Sequence, residues 1–142
     1  MKATSVGIII TNGIVYLACH STGNSFYDLP KGLMERGETP VDVCCRETKE
    51  ETGLSLDPAQ LKDLGVFPYL RNKDLHLFMW VTDALPDPNH LVCTSFFEHP
   101  KSKRMIPEVD GYRYIPFDET DKWMAKSMAR IIKQIVRDFN VE

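Results

Sequence analysis

Between Lys31 and Leu54 the chain reads "KGLMERGETPVDVCCRETKEETGL", and three of its carboxylates, Glu47, Glu50 and Glu51, stand three and four residues apart. On a helix such spacing makes them neighbours, about 5–6 Å apart at Cβ, where like charges repel modestly unless something positive intervenes. Arg46 can neutralise Glu50 at i,i+4, but it cannot neutralise all three. Two chemistries accommodate the cluster. One is a solvated charged helix face. The other is a hard-cation site, because Mg²⁺ takes oxygen ligands from a few carboxylates together with water and substrate phosphate. A glycine loop leads directly into the helix, so backbone N–H groups and Lys31 or Arg36 lie near the carboxylates and could hold phosphate oxygens.

The elements that must position this cluster are legible around it. Thr39 is placed as an N-cap and Pro40 at the first helical position, where its missing N–H costs nothing. The helix then runs to about Thr52 and is closed by Gly53. At 100° per residue, Val41, Cys44, Cys45, Thr48 and Thr52 share the side that packs on a sheet. Upstream, "TSVGIIITNGIVYLACHS" is read as two β-branched runs joined by a two-residue Asn12-Gly13 hairpin, and "SFYDLP" as a short strand end entering the glycine loop. Downstream, "LKDLGVFPYL", "DLHLFMWVTD", "LVCTSFFEH" and "GYRYIPF" are read as strands. From about Thr120, Met124, Met128, Ile131, Ile132, Ile135 and Phe139 form the stripe of an amphipathic helix. The expectation is a mixed-sheet α/β fold with helices on its faces, a single domain over residues 1–142.

Composition narrows the function classes. The 142 residues are 43% apolar and 26% charged with a net charge of -3, ordinary globular usage with no general attraction to nucleic acid or anionic membrane. A polyanionic substrate must therefore meet local cations or metal. Cys19, Cys44, Cys45 and Cys93 include no CxxC pair and read as reduced thiols of a cytoplasmic protein. No apolar run suffices to span a bilayer. His20, His76, His90 and His99 lack ligand spacing and are treated as structural.

The carboxylate segment resembles the signature of the Nudix hydrolases, G-x5-E-x7-R-E-U-x-E-E-x-G-U, with U a bulky apolar residue. Gly32, Glu38, Arg46, Glu47, Glu50, Glu51 and Gly53 stand at every fixed position, and Leu54 supplies the second apolar one. Coincidence at seven positions has a chance of about 10⁻⁸. Thr48, at the first apolar position, is the departure. The resemblance implies an α/β/α sandwich and Mg²⁺ or Mn²⁺ held by Glu47, Glu50 and Glu51. It further implies that Arg46 orients those carboxylates and that the reaction is hydrolysis of a phosphoanhydride, with Glu50 and Glu51 catalytic.

"IPEVDGYRYIPFDE" is similar to a late segment of RNA pyrophosphohydrolases and diadenosine polyphosphate hydrolases in that family, which implies Glu108 as a further ligand or general base. The competing reading is an exposed loop Glu. Lys101, Lys103 and Arg104 read as a solvated basic loop, with contact to the distal phosphates of a long substrate as the alternative. Tyr27 and Tyr69 are candidates to stack on a base, against the commoner reading of strand aromatics as core. Pro68 and Tyr69 nearly match family markers of two different substrates and decide between neither. The substrate expected first is a dinucleoside polyphosphate or the 5′-triphosphate end of RNA, then ADP-ribose or a nucleoside triphosphate. A Nudix domain that only binds nucleotide or RNA is the reading from another class. A monomer is favoured.

Overall fold

The computed structural model describes residues 2–139. Strand β1 (Ala3–Thr11) carries the run "VGIII", and its side chains alternate between two buried layers. Val6, Ile8 and Ile10 point to one layer and Ile9 to the other. A continuous apolar run is what a strand covered on both faces requires. Its full-length neighbour is β6 (Lys73–Val81), paired in parallel from Ala3↔Lys73 to Thr11↔Val81. β6 is joined to β5 (Lys62–Leu70) through Arg71 and Asn72 as an antiparallel pair, as "RNK" suggests.

The first hairpin differs from the two-residue turn expected. Three residues separate β1 from β2 (Val15–Ser21), and of the Asn-Gly pair only Gly13 has positive φ, at 95°. The Asn12 side chain instead accepts from Ile14 N and Val15 N at 2.9 and 3.0 Å. The Thr11 hydroxyl accepts from Gly13 N and donates to Val15 O. These side-chain bonds replace the tight backbone turn. The strands part at once, with Thr11↔Tyr16 as their pairing. Into the opening fits β4 (Lys31–Leu33), antiparallel to β1. β2 pairs with β3 (Tyr27–Asp28) along the edge that opens from β1, and with β9 (Val109–Pro116) along its other edge. The result is a seven-stranded mixed sheet.

Helix α1 (Pro40–Thr52) has the expected caps. Thr39 accepts from Asp42 N, and Gly53, at φ 80°, donates to Lys49 O at 2.8 Å. It buries Val43, Cys44, Thr48, Glu51 and Thr52, so the inward face is rotated from the one expected: Cys45 and Val41 lie half-buried at its border. On the opposite face the apolar stripe of α3 (Lys126–Phe139) buries Met128, Ile131, Ile132 and Ile135 against the sheet. α3 starts later than the expected Thr120. A separate turn, α2 (Thr120–Trp123), precedes it, and Met124 between them is extended and bridges Tyr27. The α/β/α sandwich is as expected. The segment "LVCTSFFEH" yields only β7 (Phe96–Glu98), which pairs with β8 (Met105–Pro107) in a two-stranded ribbon apart from the main sheet. Among the described residues no helix is long and apolar enough to cross a membrane.

Candidate active site

The opening between β1 and β2 leaves a cleft of about 210 Å³, with Asp28, Lys31, Gly32, Glu51, Lys73 and Glu108 among its lining residues. Gly32 lies in β4 opposite Val6, and a Cβ there would overlap the Glu47 carboxylate. The glycine of the box thus serves close approach: it lets α1 press an acidic side chain onto the backbone of the strand. The neighbouring Lys31 N donates to Glu51 Oε1 at 3.2 Å.

Arg46 organises the other carboxylates. Its Nε and Nη2 donate to Glu38 at 2.8 and 2.9 Å, a two-pronged pair, while Nη1 donates to Glu47 at 2.7 Å and to Glu50 at 3.2 Å. Such forked ion pairs fix geometry as well as charge. Glu38 holds the guanidinium above its ordinary value, and the guanidinium holds Glu38 below its own. This accounts for the fixed spacing between Glu38 and Arg46, since the loop must fold back to deliver that carboxylate. In this arrangement Arg46 takes Glu47 and Glu50, Glu51 turns to Lys31 N, and among the described residues no three acidic, histidine or cysteine side chains are grouped to hold a metal ion.

Glu51 is only 8% exposed. Burial pushes its carboxyl up to about 8, with Glu47 and Asp28 adding to the rise and Lys31 opposing it. Burial lifts Glu47 as well, and Glu50 and Glu108 reinforce this against the pull of Arg46. Glu51, buried at the cleft with no cation bonded to its carboxylate among the described residues, and half-buried Glu47 beside it, lifted despite its ion pair with Arg46, offer hard oxygen donors of the kind a divalent cation takes. The residues present fit that group.

Glu108, between β8 and β9, lines the cleft across from α1, and its carboxylate accepts from the Ser95 hydroxyl. Ser95 belongs to a segment tied to the end of α1, where Val92 N donates to Thr52 O at 3.1 Å and Thr94 N to Glu50 O at 2.7 Å. These bonds satisfy carbonyls that the last helical turn leaves free.

The phosphate-binding candidates divide. Lys31 faces the cleft, but its Nζ pairs with Asp28 Oδ2 at 3.1 Å. Burial pulls the ammonium down, and Asp28, Tyr69 and Glu51 outweigh it and hold it above its usual value. Asp28 itself is raised by burial despite Lys31. Tyr69 stands beside this pair, with Lys31 Nζ 5.9 Å from its ring centre, but its ring packs on the same core layer as Tyr27 and it is not among the residues lining the cleft. Arg36 is exposed in the turn before α1 and is not among the residues lining the cleft. Tyr27 alternates with Asp28 and packs with the other layer, edge-on to His20 and Trp123. That places it on the face of β3 away from Asp28 and the carboxylates. Asp28 and Lys73 are cleft residues that sequence reasoning missed. Asp28 could have been found from its position one residue from Tyr27 in a strand entering the loop, whereas Lys73 arrives only through the β1–β6 pairing. His20 and His76 hydrogen-bond Asp110 and Asp63 rather than each other.

The same architecture occurs in known proteins. Over residues 1–139 the chain matches the NUDIX domain family. A curated relative, an uncharacterized 17.7 kDa protein of the e-segB intergenic region of Enterobacteria phage T4, is 38% identical over 115 residues, which is 77% of this chain and 74% of the phage protein. The NUDIX domain of Shewanella oneidensis NrtR, solved with ADP ribose, superposes with a TM-score of 0.70 at 11% identity, covering 98% of this chain and 89% of that one. A bifunctional NMN adenylyltransferase/ADP ribose pyrophosphatase from Francisella tularensis, solved with AMP and a manganese ion, gives 0.65 at 18% identity, over 97% of this chain and 42% of that one. The chain belongs to the NUDIX family. With every fixed position of the box in place, it is a Nudix pyrophosphohydrolase by class.

Proposed function

We propose that this chain uses Mg²⁺ or Mn²⁺ to hydrolyse a phosphoanhydride bond in a nucleoside diphosphate linked to another moiety, as one Nudix domain over residues 1–142. The observation that carries this reading is buried Glu51 on α1 facing Glu108 across a polar cleft, with Glu47 and Glu50 held beside it by Arg46. Glu47, Glu50 and Glu51 would hold the cation, with Arg46 orienting Glu47 and Glu50 through its two-sided ion pairs. When bound, the cation shields phosphate charge, lowers the pKa of water and stabilises charge on the attacked phosphorus and the leaving group. Lys31 and Lys73 supply positive charge to the cleft. Glu108 takes the proton of the attacking water or adds an oxygen ligand.

The related structures bound to ADP ribose and to AMP with manganese support a nucleotide substrate and a divalent cation. Among substrates, a dinucleoside polyphosphate or a 5′-triphosphate RNA end comes first, because the late segment delivers Glu108 to the cleft. ADP-ribose and nucleoside triphosphates come next. A hydrolysis panel with Mg²⁺ over these four classes tests the reading. The expected result is phosphoanhydride cleavage that is lost with chelator and in Glu50→Gln. Ligand binding without turnover on every substrate would instead make this a binding domain.

A further inference from the structure

Glu108 stands where the chain bends between β8 and β9, exposed and directly after Pro107. Its backbone is fixed from two sides. Glu108 N donates to Ser95 O at 2.9 Å, and Glu108 O accepts from Thr22 N at 3.1 Å. The Thr22 hydroxyl donates to Pro107 O at 2.6 Å, so the loop after β2 clamps the preceding residue as well. The side chain has far less to hold it. Three rotatable bonds separate its carboxylate from this backbone, and an exposed glutamate samples several rotamers. Glu108 joins no ion pair among the described residues, and among them only the Ser95 hydroxyl donates to its carboxylate.

What fixes Ser95 is the end of the box helix. The last turn of α1 leaves carbonyls without helical partners, and the segment 92–95 takes two of them, at Thr52 and Glu50, through Val92 N and Thr94 N. Tyr112 of β9 takes the one between, its hydroxyl donating to Glu51 O at 2.5 Å. Gly53 lets the segment approach, because a Cβ there would stand 3.2 Å from Val92 Cγ1. Within the segment the Cys93 thiol donates to Ser95 O at 3.2 Å, the carbonyl that also receives Glu108 N. Ser95 is thus tied, through bonds to backbone, to the same helical turn that presents Glu50 and Glu51. Glu108 in turn is near enough to Glu47 to add to the rise of its carboxyl.

We propose that Ser95 is a positioning residue for the hydrolysis, its hydroxyl holding the Glu108 carboxylate at a fixed offset from the box carboxylates. The bond occupies Oε1 and leaves Oε2 without a protein donor among the described residues, available to a water or a cation. Ser95 itself does not touch the reacting atoms and acts through Glu108. The role rests on the hydrolase reading above. A purely structural part in the loop would be indifferent to what stands at position 108, and that difference is measurable.

The test compares wild type, Ser95→Ala, Ser95→Thr, Glu108→Gln and Ser95→Ala/Glu108→Gln in Mg²⁺. The substrates are a dinucleoside tetraphosphate, a 5′-triphosphorylated oligoribonucleotide, ADP-ribose and a nucleoside triphosphate. On those that wild type cleaves, Ser95→Ala should lower kcat about tenfold at unchanged KM, and Ser95→Thr, which keeps the hydroxyl, should restore it. In the Glu108→Gln background Ser95→Ala should cost nothing further, the non-additivity of two groups acting as one. A second readout needs no turnover. In chelator, NMR relaxation of the Glu108 side-chain methylenes should show greater mobility in Ser95→Ala than in wild type or Ser95→Thr, while the Thr94 and Glu108 amides keep their protection from hydrogen exchange. Equal mobility in the three proteins, or an unchanged kcat in Ser95→Ala, overturns the role. So does a kcat loss that persists in full in the Glu108→Gln background, or lost amide protection in Ser95→Ala, either of which makes Ser95 a structural residue of the segment. Wild-type turnover from Glu108→Gln overturns it too, since no group is then left to position. Each of these outcomes leaves the hydrolase standing. A wild type inert towards all four substrates removes the hydrolase reading and the role of Ser95 together.

Discussion

In the metal-free protein, Glu51→Gln should increase stability at alkaline pH while abolishing activity. Burial places the folded-state carboxyl near 8, against 4.5 for the same group in solution. The sign follows from proton counting: between those values the folded chain holds the proton and the unfolded chain releases it, so stability falls as pH rises through the window. At 1.36 kcal/mol per unit, the loss across the window has a ceiling of about 5 kcal/mol, and relaxation of the surroundings brings it to about 2–4. Glutamine keeps the acceptor oxygen for Lys31 N and cannot ionise. Guanidinium denaturation in chelator from pH 5 to 9, followed by the fluorescence of Trp80 and Trp123, should give coincident stabilities near pH 5 and a variant advantage of about 2–4 kcal/mol near pH 8.5. Millimolar Mg²⁺ should then close the gap by stabilising only the wild type. Parallel stability profiles for the two proteins would refute the claim that an uncompensated charge sits at this position.

Thr48 stands where the family carries a bulky apolar residue, and its hydroxyl is buried without a partner. Thr48→Val should therefore stabilise by about 1 kcal/mol with unchanged turnover, and a lower melting temperature would show that the hydroxyl is bonded in solution. Glu108→Gln separates base from ligand through rate measured against Mg²⁺ concentration. A lower maximal rate at unchanged metal dependence identifies the proton acceptor, and a higher half-saturating Mg²⁺ with rescue by excess metal identifies a ligand. Wild-type behaviour at every concentration would return the carboxylate to the loop.

The box helix was legible because each of its signals is local: Thr39, Pro40 and Gly53 mark its ends, and the carboxylate spacing needs only 3.6 residues per turn. What escaped depends on long-range pairing. Lys31–Leu33 looks like a glycine loop and is a strand because β1 and β2 diverge and expose an edge for it. The inward face of α1 was displaced because Glu51, a charged residue that hydropathy sends outward, is drawn in over β4. Tyr27 was assigned to the site on residue type alone, yet its register opposite His20 sends it to the far layer. In the C-terminal stripe the apolar spacing was right, but Met124 belongs to an extended break that periodicity does not reveal.

The parallel β1–β6 pair also governs the order in which the site can come into existence. Its contacts join residues about 70 positions apart, such as Ala3 and Lys73, and a closure of that length is costly and late. Lys73 reaches the cleft through this pair, and β4 reaches it by docking on the opposite edge of β1. A nascent box helix therefore carries its carboxylates without the strand that Glu47 and Glu51 lean on, and it offers no preformed cation site. Divalent metal should accordingly slow unfolding while leaving the refolding rate unaltered, so that bound cation lengthens the lifetime of the native state rather than hastening its arrival.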